Sequence, residues 1–206
     1  MATTTTNYGF DIPQSTDLVK DGATAIATLG QDIDTAMNTA LGTKKAGMVL
    51  LNTTSFSGVS SQSVNDVFSA TYENYLIVFD TVLSTSIANL TLRLRVSGTD
   101  ASAANYTYQS SNKTGGSNPA ATSTGQTSIN IALVNDTRPN PGVANIFAPF
   151  LARPTGLIST STSTYSNVYT RIVEGYHTLS TSYTGYTLII DGGTVSGKVM
   201  TYGYNL

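Results

Sequence analysis

At Gly47 the spacing of apolar residues changes. Before it, from Asp17 to about Leu41, apolar side chains return every three then four positions. After it they alternate at every second position or run unbroken through short stretches bounded by Gly, Asn, Ser and Pro. The first spacing is that of one face of an α-helix and the second that of strands. One helix followed by many short strands predicts a mainly β chain, and no later helical pattern interrupts the strands to build a parallel α/β fold.

The helical stretch accepts a heptad assignment. Position a falls on Val19, Ile26, Ile33 and Ala40, and position d on Gly22, Leu29 and Ala36. The opposite face carries Lys20, Thr24, Thr28, Asp32 and Thr35. Gly22 and Gly30 each weaken a helix by about 1 kcal/mol relative to Ala, so this one needs a surface to pack on. The narrow seam favours sister copies of the chain, in a parallel bundle. The competing reading lays the helix against its own sheet. Gly and Ala at d leave the copy number open. Thr16 or Asp17 offers an N-cap, Gly42 a C-terminal stop, and Lys44 and Lys45 complement the helix dipole. Residues 1–16 read as an extended arm, with Pro13 holding Ile12 in β geometry.

Beyond Gly47 the expected strands are 47–51, 64–68, 75–83, 88–96, 105–110, 127–134, 143–149, 168–177, 186–190 and 197–204. The alternation is clearest in "LTLRLRV": Leu90, Leu92, Leu94 and Val96 face one way, and Thr91, Arg93 and Arg95 the other. That is a half-buried antiparallel strand. Stretches such as 110–126 and 159–167 are rich in Ser, Thr, Asn and Gly and read as loops, and "DGGTVSG" at 191–197 reads as a hairpin turn. The expected architecture is an N-terminal extended arm (1–16), a single coiled-coil-like helix (17–42) and an antiparallel, jelly-roll-like β-sandwich (47–206).

Composition narrows the function. Charged residues are 11% of the chain and the net charge is −2, so the basic footprint of a nucleic-acid binder is missing. There is no cysteine, which removes disulfides and thiolate metal sites. The first residues lack the basic and apolar regions of a secretory signal, and no apolar run reaches the roughly 18 residues of a membrane span. Five Asn-x-Ser/Thr sequons, at Asn52, Asn89, Asn105, Asn112 and Asn135, are what so Thr-rich a chain produces by chance.

No catalytic pattern emerges. His177 is the single histidine, no G-x-S-x-G surrounds a serine, and in a strand Glu174 and His177 take opposite faces. The acids, among them Asp66, Glu73, Asp80, Asp100, Asp136, Glu174 and Asp191, show no pairing for glycoside hydrolysis. The chain reads as a non-enzyme with no cofactor and no metal. Its 12 tyrosines, against no Trp, include Tyr106, Tyr108 and Tyr165 beside loops, where an amphipathic ring suits a ligand surface.

Two segments resemble a known family. "NYGFDIPQSTDLVKDGATAIATLGQDIDTAMN", 7–38, resembles the N-terminal segment of tailed-bacteriophage virion proteins, mostly tail fibre or minor tail proteins. "FSATYENYLIVFDTVLSTSIANLTLRLRVSGTDASAANY", 68–106, is similar to a strand pair in the C-terminal β-domains of phage fibres, and "TVSGKVMTYGYNL" to their closing strand. The resemblance implies a homotrimeric virion fibre or spike assembled in the bacterial host. Val19, Ile26, Leu29, Ile33, Ala36 and Ala40 would form its stem. The arm, through Tyr8, Phe10, Ile12 and Pro13, would attach to other virion proteins. The β-sandwich would face outward, where host glycan or protein is a candidate partner; a head-decorating fibre and a carbohydrate-binding receptor-recognition module are the alternatives. Many relatives carry a long shaft between the two parts; here none separates them.

Overall fold

The computed structural model describes residues 3–6, 8–12, 18–41, 47–83, 87–135, 138–164 and 168–204. The chain divides into two units, Met1–Ala46 and Gly47–Leu206.

In the first unit, β1 (Thr3–Thr4) pairs antiparallel with β2 (Asp11–Ile12), in the register Thr3↔Ile12 and Thr4↔Asp11. The expected extended arm is therefore a hairpin. Thr5 closes it: its N–H donates to the Phe10 carbonyl at 2.8 Å, its carbonyl accepts from Gly9 N–H at 3.0 Å, and its hydroxyl accepts from Phe10 N–H at 2.9 Å. Gly9 takes φ +69°, where a side chain is strained. The helix α1 (Val19–Leu41) follows, a rod of ~35 Å. Asp21 in its first turn complements the helix dipole. The cap candidates Thr16 and Asp17, and Pro13, Gly42, Lys44 and Lys45, lie outside the described residues.

The second unit is all antiparallel sheet: β3 (Met48–Val59), β4 (Ser61–Val64), β5 (Asn74–Leu83), β6 (Ile87–Val96), β7 (Thr99–Asp100), β8 (Tyr106–Thr114), β9 (Ala120–Gln126), β10 (Ile129–Asn135), β11 (Asn140–Phe147), β12 (Thr155–Ser163), β13 (Tyr169–His177), β14 (Gly185–Ile190) and β15 (Val195–Tyr204). Eight strands form one sheet in the order β3-β15-β5-β11-β12-β13-β8-β9. The smaller sheet runs β10-β6-β14-β4, with β7 paired to β6. Its inward side chains meet those of the large sheet in one core that includes Leu90, Leu92, Leu94, Ile131 and Leu188 from one side and Tyr75, Ile77, Phe79, Ile146 and Val173 from the other. This is the expected sandwich. The sheets are unequal, and their strand orders do not establish jelly-roll connectivity.

Four local expectations change. The stretch 110–126, read as loop, is mostly strand, because β8 runs on to Thr114 and β9 (Ala120–Gln126) pairs back onto it. Of 64–68, only Val64 belongs to a strand; Asp66 turns through φ +54°, and Val67 and Phe68 are buried while their N–H groups donate to the Thr184 carbonyl at 2.9 and 3.0 Å. The apolar run marked burial without strand geometry. The stretch at 159–163, read as loop, lies in the central strand β12, where Thr155, Leu157, Ser159, Ser161 and Ser163 alternate inward. Small hydroxyl residues there let the facing strand β10 approach, and the Ser159 hydroxyl donates to the Ile131 carbonyl at 3.1 Å. The "DGG" turn joins β14 of one sheet to β15 of the other and is not a hairpin. Its Asp191 carboxylate accepts from Asn89 N–H and Asn89 Nδ2, both at 2.7 Å.

The interior hosts buried polar side chains, and one of them, Arg171, ties the two sheets together. Arg171 on β13 is buried. Its guanidinium donates to Asn112 Oδ1 at 2.8 Å and to the Tyr169 hydroxyl at 3.2 Å within the large sheet. It also donates to Asn89 Oδ1 at 2.9 Å and Asn130 Oδ1 at 2.6 Å on the small one. Neutral amide oxygens solvate the cation in place of a carboxylate. His177 is also fully buried. Its ring lies 3.1 Å (Nδ1) from the Tyr183 hydroxyl and edge-on to Tyr106 at 4.4 Å. Burial pushes its pKa below the usual histidine value, a hydrogen bond at Leu179 opposing.

Two outcomes follow. Unfolded His177 binds a proton below about pH 6.5, whereas the folded ring resists one, so the unfolded state binds more protons and stability falls as pH drops through that value. In denaturant titrations between pH 7 and 5, His177→Gln should lose less stability than the parent, and an equal loss would refute this assignment. Arg171→Met removes the donor to the half-buried Asn89 and Asn130 side-chain oxygens and should cost about 1–3 kcal/mol by chemical denaturation.

Candidate functional site

The chemistry available on α1 follows from what its side chains meet. Ile26 is 66% exposed, Ile33 40%, Met37 55%, and Leu18 just before the helix 62%. Leu29 and Ala36 are half-buried and Ala40 is exposed. Thr24, Thr28 and Thr35 face solvent on the other side, and the Thr28 hydroxyl turns back onto the Thr24 carbonyl at 3.0 Å. A stripe of large aliphatic side chains on one face of the helix is thus exposed among the described residues of the first unit. Val19 begins the helix.

The hairpin meets the same stripe at its C-terminal half. Tyr8 and Phe10 stack with centroids 5.6 Å apart and planes 19° from parallel. Together with Ile33, Ala36, Met37 and Ala40 they line an open, apolar groove of about 280 Å³. The structure therefore brings together residues that the sequence assigned to two roles, Tyr8 and Phe10 to attachment and Ile33, Ala36 and Ala40 to the seam. Small Ala side chains at two seam positions make the floor, and the rings form a wall. Ile12 of the attachment set is 40% exposed in β2. Sequence reasoning missed Met37 and Leu18. Met37 falls next to position d of the heptad, and a stripe drawn as wide as a core-facing helix requires would have taken it in.

The tyrosines expected at a ligand surface do not form one. Tyr106 is fully buried: its hydroxyl accepts from Leu94 N–H at 3.0 Å and donates to the Ala101 carbonyl at 2.9 Å. Desolvation drives its pKa well above the usual phenol value. Tyr108 is half-buried and packs on the core, and Tyr165 lies outside the described residues. The open ring on this sheet belongs to Tyr176, 48% exposed. It shares a shallow groove of about 450 Å³ with Thr107, Gln109, Thr122 and Glu174. Strand parity distinguishes them: Tyr106 and His177 are opposite one another and point inward, so Tyr176 points out.

The acids are likewise dispersed. Glu174 and His177 take opposite faces of β13. Glu73 pairs with Arg153 at 2.7 Å, Arg95 with Asp100, and Asp191 holds Asn89. Among the described residues no group of three or more His, Asp or Glu side chains converges to hold a metal ion, and no helix is long and apolar enough to cross a membrane.

Compared with known proteins, the chain matches no family model and no curated protein sequence.

Tyr106→Phe should cost about 1–3 kcal/mol, because it strands the buried Leu94 N–H. Urea titration checks this, and an unchanged midpoint would show that the hydroxyl bears no structural role.

Proposed function

We propose that this protein is a short homotrimeric fibre of a tailed-phage virion, whose work is assembly and display rather than catalysis. The observation that carries the reading is the uncovered aliphatic stripe of Leu18, Ile26, Ile33 and Met37 on a Gly- and Thr-rich helix. Such a helix is marginal alone. Burying large aliphatic side chains returns roughly 1.5–3 kcal/mol for each one fully covered. Three copies cover three stripes at once, and low net charge adds little repulsion between them. The copy number three, and the virion as its setting, rest on the resemblance of 7–38 and 68–106 to phage fibre proteins.

In this reading the hairpin is the attachment element. It presents Tyr8, 74% exposed, and Ile12 at one end of the stem. The groove beside them, with its Ala floor, takes an apolar side chain from a neighbouring virion protein. The β-sandwich is the displayed part, and a tail position is preferred to a head position on the same resemblance.

Light scattering on the full chain at low micromolar concentration should return the mass of three copies. Ile26→Asp combined with Ile33→Asp should return one copy, with the far-UV β signal and thermal transition of the sandwich retained. A parent chain that is already monomeric would overturn the proposal.

A further inference from the structure

The two outer faces of the sandwich are chemically unlike. On the small sheet Thr91, Arg93 and Arg95 point outward, Thr187 lies beside Arg95, and Arg95 is held by Asp100. That face is polar, with Arg95 and Thr187 largely covered by their own hydrogen bonds. On the large sheet the outward positions follow from the register. One row crosses six strands as Leu50, Tyr202, Leu76, Asn145, Ile158 and Glu174. The next runs Thr53, Met200, Val78, Val143, Thr160 and Ile172. Phe147 and Met48 extend the apolar area on a third row. Leu50 is 52% exposed, Met48 52%, Ile158 43%, Val143 37% and Phe147 37%, and within the β unit no described element packs over them.

The strand sequences say the same. β5 reads "NYLIVFDTVL", with apolar side chains on both faces: Tyr75, Ile77 and Phe79 inward, Leu76 and Val78 outward. Continuous apolar runs are the signature of strands covered on both sides. The core supplies only one cover.

We infer that the outer face of the eight-stranded sheet is a contact between copies of this chain. Four observations select a second copy as the occupant. The apolar centre spans five strands and three rows, ~24 by ~20 Å or ~480 Å² in projection, within a face of ~1,100 Å². That face exceeds the roughly 800 Å² per partner of a standard interface. Its centre is mainly apolar, with Asn145 tied to the Tyr204 hydroxyl at 2.6 Å, and its margin is Thr, Ser, Gln and Glu, the anatomy of homomeric contacts. Its charges cancel: Lys198 is opposite Asp80, and Glu174 and Lys113 balance one another, so no field steers a charged stranger to it. Identical faces turned towards a common axis also close a trimer without leaving an open end.

The inference deepens the trimer reading and takes its copy number from there; the face itself is argued independently of the stem. Joined stems hold the faces at ~mM effective concentration, so the sheet contact forms in the trimer and is lost at low micromolar concentration when the stem is broken.

The absence of cysteine makes the test direct. A single introduced thiol can be bridged only to the same position of another copy. Leu50→Cys, Val143→Cys and Ile158→Cys, each alone in the full chain, are treated with a short bis-maleimide and run on denaturing gels. These positions are exposed in the single chain, so folding is retained. At least one should yield a covalent dimer, and Ser61→Cys, on the outer face of the small sheet, should not. A chain with the mass of a trimer and no cross-link at any of the three positions overturns the face and leaves the stem reading standing. Cross-links that persist in a still-trimeric Ile26→Asp, Ile33→Asp chain support the face and overturn the stem. A monomeric parent without cross-links overturns both.

Discussion

A sheet has two faces, and a sandwich core uses one face of each sheet. Everything else in the β unit depends on how the remaining faces are resolved. The small sheet resolves its own in sequence: Leu alternates with Thr and Arg along β6, so its exterior is polar and hydrogen-bonded. The large sheet does not. Its exterior carries Leu76, Val78, Val143 and Ile158, a second apolar layer with no described element of the β unit packed over it. The helix repeats the pattern in another geometry, with Ile26 and Ile33 uncovered. Two units of unlike secondary structure each expose the kind of surface that folding normally hides, in a molecule only 11% charged.

Within the core the problem is reversed, because polar groups must be hosted without water. Several of the largest are met by neutral partners, while the hydroxyls of Thr81, Thr155 and Ser163 are left unpaired among the described residues. Asn140 reaches the carbonyls of Thr81, Asn135 and Arg138 at 2.8–3.0 Å and tethers the β10–β11 connection. The Tyr186 hydroxyl joins Thr201 across the sheets at 2.8 Å. Arg171 is solvated by three amide oxygens. Such contacts require particular geometry and so select one pairing of the sheets from the many that greasy surfaces alone would tolerate.

Much of this was readable from residue order, for a physical reason. Where burial is achieved by Leu against Thr and Arg, as in β6, the period of two shows directly, and in β5 and β14 a continuous apolar run marks the strand instead. Where it is achieved by Ser and Thr, as in β12, the same period is present but disguised, because a small hydroxyl residue looks alike in a loop and under a closely packed strand. Tyr106 and Tyr176 show the limit on the candidate site. Both lie in Tyr-bearing strands, and only cross-strand register reveals which ring is inside. The hairpin was hidden because Thr5 closes it through its own backbone and hydroxyl, a local bond that no periodicity reports.

The position of β3 at the end of the large sheet carries a last consequence. Its twelve residues, Met48–Val59, contain neither charge nor proline, and β9 at the opposite end is equally plain. Such borders lack the gatekeepers that stop strand addition from without. A single copy thus offers two unguarded templates for runaway edge-to-edge growth at high concentration.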